Sequence, residues 1–204
     1  KNIAADASEA IFDVSSAEFS FDAGQYVRVT LPDLKTKDPH GPHRDFSVSS
    51  PPGALSDGML AVSFRHSESD FKEEILSLAP GAHVHVSGPF GSFTLPDDVE
   101  KPLVFVAGGM GIAPFMAMIR ETLAGSSPRR ITLLYGNKNA DSAAHLPELK
   151  RLAARSPHLS LHTVFGVIDE HSIREHVETL LTSLWLIAGP PRMVSDVRQT
   201  LAEA

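Results

Sequence analysis

The order of apolar and polar positions changes character near residue 100. Before it, short β-rich runs alternate with turn residues: EAIFDV (9–14), QYVRVTL (25–31), RDFSVSS (44–50), MLAVSFRH (59–66), AHVHVSG (82–88) and SFTL (92–95), separated by DAG, PPG, SDG and APG. Several strands at such spacing predict an antiparallel barrel or sandwich. One helix interrupts them over Asp70–Leu78, where Phe71, Ile75 and Leu78 fall at helical spacing.

Beyond that point strand and helix alternate. LVFVA precedes a helix over Ile112–Leu123, and RITLLYG precedes one over Leu146–Ala154. LSLHTVFG precedes Ile173–Leu181, where Ser172 and Glu175 pair as a capping box, and LWLIAG precedes Arg192–Ala202. Nearly continuous apolar strands between helices imply a parallel sheet covered on both faces. The polar, proline-punctuated stretch TLPDDVEKP (94–102) reads as the joint, so the chain divides into residues 1–98 and 99–204.

Composition narrows the choice of partner. The 204 residues are 42% hydrophobic and 21% charged, which supports real cores and argues against disorder. A formal net charge of -7 excludes a broad basic footprint for nucleic acid or an anionic membrane. Any anion must then be held by helix N-termini, backbone amides and single Arg or Lys side chains. There is no cysteine, which removes disulfides, thiolate metal sites and thiol catalysis from this chain and fits a reducing, cytoplasmic setting. The uncharged run Leu103–Ile119 approaches the length of a membrane span. Gly108, Gly109, Gly111 and Pro114 interrupt its middle, so a strand, a glycine turn and a helix explain it better, and no transmembrane segment is expected. The histidines supply no convergent ligand set, and no metal site is expected.

Two stretches carry chemistry. In VFVAGGMGIAPF a strand runs into Gly108-Gly109-Met110-Gly111 and then a helix with Pro114 in its first turn. Glycines allow a sharp turn and close approach of a ligand, and the helix start offers free N–H groups to a phosphate. The alternative is a tight turn with no ligand. The pattern departs from the usual dinucleotide fingerprint, because its third glycine is missing and the next strand ends in YGNKN without an acidic residue. The second stretch is HRDFSVSS (43–50), where Arg44 and Phe46 share one strand face and Ser47 takes the other. Arg suits phosphate oxygens, Phe a flat ring and Ser a ring-edge atom. Taken alone, it reads equally well as an ordinary half-buried strand.

Together the halves resemble the ferredoxin–NADP reductase-like flavoproteins. Four segments carry the resemblance in the family's order: RDFS (family pattern Arg-x-Tyr-Ser), GPFGSF at 88–93, GGMGIAP at 108–114 and AGPPRMV at 188–194 (family pattern Cys-Gly-Pro-Pro). The resemblance implies an antiparallel FAD-binding β-barrel followed by an α/β parallel-sheet domain for NADH or NADPH. It implies an oxidoreductase moving hydride between NAD(P)H and FAD, with onward electron transfer to an acceptor, a redox protein or another domain. The alternative is a non-catalytic flavin-binding, electron-wiring module of a larger assembly.

By resemblance, Arg44 holds a flavin phosphate, Phe46 stacks on the isoalloxazine and Ser47 sits near its reactive N5, making Ser47 and Phe46 the catalytic pair. Asp45 lies within the same motif. Phe64 and Arg65 occupy the strand that borders the flavin, and Ser69, Asp70 and Phe71 form the helix start that receives the pyrophosphate. Gly108, Gly109, Met110, Gly111, Ile112 and Pro114 cradle the nicotinamide nucleotide, Gly189, Pro190 and Met193 border its other side, and Asn137 and Lys138 lie by the adenosine ribose. Phe46 replaces the commoner Tyr, and Ala188 stands where many relatives place Cys.

Overall fold

The computed structural model describes residues 1–34, 40–98, 100–126, 129–177 and 180–203. Its first half contains strands β1 (Asn2–Ala4), β2 (Ala7–Asp13), β3 (Tyr26–Thr30), β4 (His43–Ser47), β5 (Met59–Arg65) and β6 (His85–Phe90), with helix α1 (Asp70–Ser77) between the last two. They form two antiparallel sheets ordered β1-β2-β5 and β4-β3-β6. Among the described residues these sheets meet through the bridge Val48↔Val62, where the chain leaving β4 reaches β5. The inward residues Val27, Val29, Phe46, Leu60, Val62 and Phe64 fuse into one core that α1 closes with Phe71 and Ile75.

The second half contains β7 (Leu103–Gly108), α2 (Ile112–Ala124), β8 (Ile131–Asn137), α3 (Leu146–Arg155), β9 (Leu159–Phe165), α4 (Glu170–His176), β10 (Leu184–Ala188) and α5 (Pro191–Ala202). Its four strands run parallel in the order β10-β7-β8-β9. Every residue of β7 is buried, as expected for a central strand covered on both faces. Phe105 and Leu133 face α2 and α3 in one apolar cluster, while Val104 and Leu134 face α4 and α5 in another.

Three departures from the sequence reading have local causes. SFTL is not a strand: Phe93 packs edge-on against Phe115, at 5.7 Å between ring centres, so its apolar residues serve the second core. β1 forms although its run is too short to signal itself. The fourth helix starts earlier than expected, because the Asp169 carboxylate accepts from the Ser172 amide at 2.9 Å and caps Glu170–His176. Val99, at the expected boundary, and Glu178 and Thr179, within the expected helix, lie outside the described residues.

Candidate functional site

Parallel strands place their loops at one edge, and here β7, β8, β9 and β10 deliver Gly108, Gly136, Gly166 and Pro190 to a common mouth. A cavity of about 610 Å³ opens there. Its floor comes from Gly108, Gly109, Asn137 and Lys138, one side from Ile168, Pro190, Arg192 and Met193, and the other from Asp6 and Arg65 of the first half. The cavity therefore joins both sheet systems.

The glycines in its floor have different jobs. Gly109 adopts φ +53 and faces the cavity, with Arg65 3.9 Å from where a methyl would project. At Gly108 a methyl would meet Met193 Sδ at 2.6 Å, and at Gly111 it would meet the Ala188 carbonyl oxygen at 2.1 Å. Those two glycines allow the turn after β10 to approach β7 closely. Met110, Gly111, Ile112, Pro114 and Gly189 do not line the cavity. Ile112 is fully buried, and Pro114 is also buried in the first turn of α2. Their part is to hold the floor in place.

Asn137 is the most telling side chain. It is 6% exposed, lines the cavity, and neither its amide nitrogen nor its amide oxygen has a hydrogen-bond partner. A buried primary amide in that state is costly, by about 1–3 kcal/mol, until a ligand satisfies it. The buried Oδ1 of Asp6 is likewise without a partner, while its Oδ2 accepts from Arg65. Arg65 also donates to the Ser142 carbonyl at 3.0 Å, spanning the two halves across the cavity mouth. Beneath, the Tyr135 hydroxyl donates toward the carbonyls of Ala144 (3.0 Å) and Gly109 (3.3 Å). Burial pushes this phenol well above its ordinary range, so it stays neutral.

The motif at the end of β4 is adjacent to a second set of cations. Arg44 donates to the carbonyls of Gly41 (3.0 Å) and His43 (2.7 Å) and to Ser69 Oγ (3.3 Å), and it lies over the Phe71 ring at 5.3 Å. Ser69 precedes α1, yet its hydroxyl makes no cap bond, because it accepts from Arg44 instead. The start of α1 thus lies beside a guanidinium, an arrangement suited to phosphate. Lys72 follows at once; burial and the charges of Arg44 and Arg65 hold its amine below the ordinary lysine range. Arg44 and Lys72 thus stand together at the start of α1, a pair of cations suited to an anionic ligand.

Strand alternation sorts the rest of that motif. Phe46 is 9% exposed, its ring 5.6 Å from Phe64 and 6.0 Å from Phe71. Ser47 is half-buried at the strand end. Asp45, expected beside the cofactor, points the other way and pairs with Arg28 at 2.7 and 2.9 Å on the outer face. That outward turn follows from its place between Arg44 and Phe46. Phe71 contributes no open side chain, being fully buried beneath Arg44.

The sequence reading missed Asp6, Lys72, Gly136, Ser142, Ile168 and Arg192. Lys72, Gly136 and Arg192 had a usable signal, each standing beside a residue already expected in the site; Asp6, Ser142 and Ile168 are brought in from parts of the chain that carried none. Among the described residues no cluster of His, Asp or Glu has the geometry of a metal site, and no helix is long and apolar enough to cross a membrane.

Known proteins agree with this geometry. The oxidoreductase NAD-binding domain model matches residues 105–199. The reductase component of phenol 2-monooxygenase from Pseudomonas sp. is 33% identical over 149 residues, covering 69% of this chain and 38% of that protein. Methane monooxygenase component C from Methylosinus trichosporium is 34% identical over 144 residues, covering 70% of this chain and 40% of that protein. The chain thus spans about two fifths of the length of these relatives. In structure it overlays a cytochrome P450 reductase from Amycolatopsis with a TM-score of 0.83 at 24% identity, over 100% of this chain and 63% of that one. It overlays the ferredoxin–NADP+ reductase of Plasmodium falciparum with a TM-score of 0.76 at 21% identity, over 91% and 81%. Two antiparallel sheets, a parallel sheet with a glycine-lined mouth, and these relatives converge: the chain has the fold of the ferredoxin–NADP reductase-like proteins, and its second half matches the oxidoreductase NAD-binding domain.

Proposed function

We propose that this chain carries hydride from NADH or NADPH to a bound FAD and passes the electrons to a redox protein or another domain. Residues 1–98 serve as the flavin domain and 99–204 as the nucleotide domain. The observation that carries this reading is the unpartnered Asn137 amide in a cavity walled by both halves. The donors fit both groups: Arg44, Lys72 and the α1 amides match a pyrophosphate, and Asn137 and Lys138 match the polar edge of a nucleotide.

Bound there, the flavin supplies a ring able to take two electrons with a hydride and release them onward. The chain's own residues place and shield it. Arg44 is steadied by Gly41, His43 and Ser69, so its guanidinium is already oriented when phosphate arrives. Phe46 and Phe64, packed side by side, would back the ring as a wall from the core of the first half. The Ser47 hydroxyl, at the end of that wall, hydrogen-bonds the hydride-accepting position. Gly109 lets the nicotinamide half of the nucleotide come close, and Asn137 and Lys138 take the adenosine half. The relatives are named as components of monooxygenases, the phenol 2-monooxygenase one as the reductase component, and a redox-protein acceptor of that class suits this chain. A cysteine-free chain works readily in the reducing cytoplasm.

The deciding experiment is an absorption spectrum of the purified protein, saturated with FAD, before and after anaerobic NADH and then NADPH. Flavin bands that bleach support the reading, and the faster donor is the preferred one. Bound flavin that neither nucleotide bleaches favours the electron-wiring module instead. With Ser47→Ala, flavin reduction slows at least tenfold while FAD affinity changes less than threefold; equal rates remove Ser47 from the reaction.

A further inference from the structure

Behind the cavity, the two halves are joined by a buried polar cluster outside the cofactor site. At its centre is Arg120 of α2, whose side chain is 17% exposed. Its fork donates to both carboxylate oxygens of Glu148 at the start of α3, each at 2.8 Å. The remaining nitrogen crosses to the first half, donating to the Ser49 carbonyl at 2.6 Å and lying 3.5 Å from Glu9 Oε1. Glu9 is 5% exposed and accepts from the Ser49 hydroxyl at 3.1 Å. A second crossing lies beside it: the Ser63 hydroxyl and Nε2 of the buried His145 are 2.8 Å apart.

The positions of these contacts matter more than their number. Ser49 is two residues beyond Ser47, and Ser63 two before Arg65. Both strands that wall the proposed flavin are therefore gripped next to their working residues. On the other side, His145 and Glu148 follow directly on the loop that brings Lys138 and Ser142 to the cavity. Burial raises the cost of ionised Glu9, yet the Arg120 charge, the charges of His145 and Lys1, and the Ser49 hydrogen bond outweigh it and keep its carboxyl below the ordinary range. A charged fork that grips the half-buried Glu148 carboxylate of its own half, and a carbonyl and the buried Glu9 carboxylate of the opposite half, fixes direction as well as distance.

We propose that Arg120 is a positioning residue, registering the Ser47 end of β4 against the nucleotide half by joining Ser49 and Glu9 to Glu148. It touches no reacting atom. Its effect is geometric: hydride transfer falls about a hundredfold for a misplacement of about 1 Å. The rate arm of this inference rests on the flavin–nicotinamide reading; the structural arm does not.

The test uses Arg120→Lys, which keeps the charge and loses the planar fork. Because the chain has no cysteine, spin labels at Ser16→Cys and Ala154→Cys, both exposed and one in each half, report the interdomain distance without flavin. The parent should give one narrow distance distribution and the variant a clearly broader one. In the flavin-loaded protein, the reduction rate at saturating nucleotide should fall 10- to 100-fold, with nucleotide KM within threefold and a weakened nicotinamide–flavin charge-transfer band. A distribution as narrow as the parent's overturns the proposal, and so does a reduction rate within twofold. Glu9→Gln, which keeps shape and loses charge, gives the same readings at smaller size and stands in if Arg120→Lys does not fold. A parent that binds no flavin overturns the functional reading and leaves the distance test standing.

Discussion

Gly111→Ala tests the packing of the glycine turn through the sign of its effect. Gly111 has φ −59, which Ala adopts freely, so on unfolded-chain entropy alone Ala should be stabilising by about 0.4–1 kcal/mol. The structure says the opposite. The new methyl would lie 2.1 Å from the Ala188 carbonyl oxygen, 2.4 Å from its carbon and 2.8 Å from the Gly189 nitrogen. A carbon–oxygen contact needs about 3.3 Å, so the turn after β10 must retreat by roughly 1 Å. All three atoms are backbone, and no rotamer change relieves them. Overpacking of this kind costs about 1–3 kcal/mol, and with backbone on one side the upper end applies, leaving a net loss of about 2 kcal/mol. For a chain of this size that is a fall of roughly 4–8 °C in Tm. Thermal unfolding followed by circular dichroism measures it. Gly53→Ala is the control, because nothing lies within 4 Å of that position and it should be neutral or gain up to about 1 kcal/mol. A Tm for Gly111→Ala at or above the parent's would refute the close approach of the β10 turn.

Two further outcomes follow from charge. Lys72→Met removes a partly buried cation set beside Arg44 and Arg65, so the flavin-free protein should melt no lower than the parent while FAD affinity drops about tenfold, as for loss of a charge-assisted contact; paired melting and titration curves check both. The His145 imidazole and the Arg120 fork outweigh burial and hold the Glu148 carboxyl well below its ordinary range. Its folded value being the lower one, its stabilisation is complete above the unfolded value of about 4.3 and lost as pH falls through the folded one. Glu148→Gln should therefore lower stability near pH 7 by roughly 3 kcal/mol, with the gap to the parent shrinking below about pH 4 in urea titrations; a gap that stays constant with pH would show that Glu148 is not held as a depressed carboxylate.

The legible part of this protein was the part written in neighbouring residues. Apolar alternation before residue 100 and apolar runs between helices after it specify the two sheet types, because side-chain period and burial follow directly from strand geometry. The glycine turn, the α1 start and the Arg44–Ser47 strand were visible for the same reason. Alternation should also have warned that Asp45 turns outward to Arg28. SFTL read as a strand because four residues of pattern cannot say whether Phe93 pairs or packs; contact with Phe115 decided it.

What the tertiary structure alone decided concerns residues whose partners are far along the chain. Gly111 reads in sequence only as part of a glycine turn, and the folded chain alone shows that the Ala188 carbonyl packs against it. Asp6, Arg65 and Ser142 meet across the cavity, and Glu9, Ser49, Arg120 and Glu148 meet behind it. A charge in a sequence reads as solvated until something buries it, and burial is a property of the whole fold. The sequence by itself thus determined which chemistry this protein is equipped for, through local backbone and side-chain type. The packing of its two halves decided which charges are buried, which polar groups stay open to a ligand, and how the two walls of the site are registered.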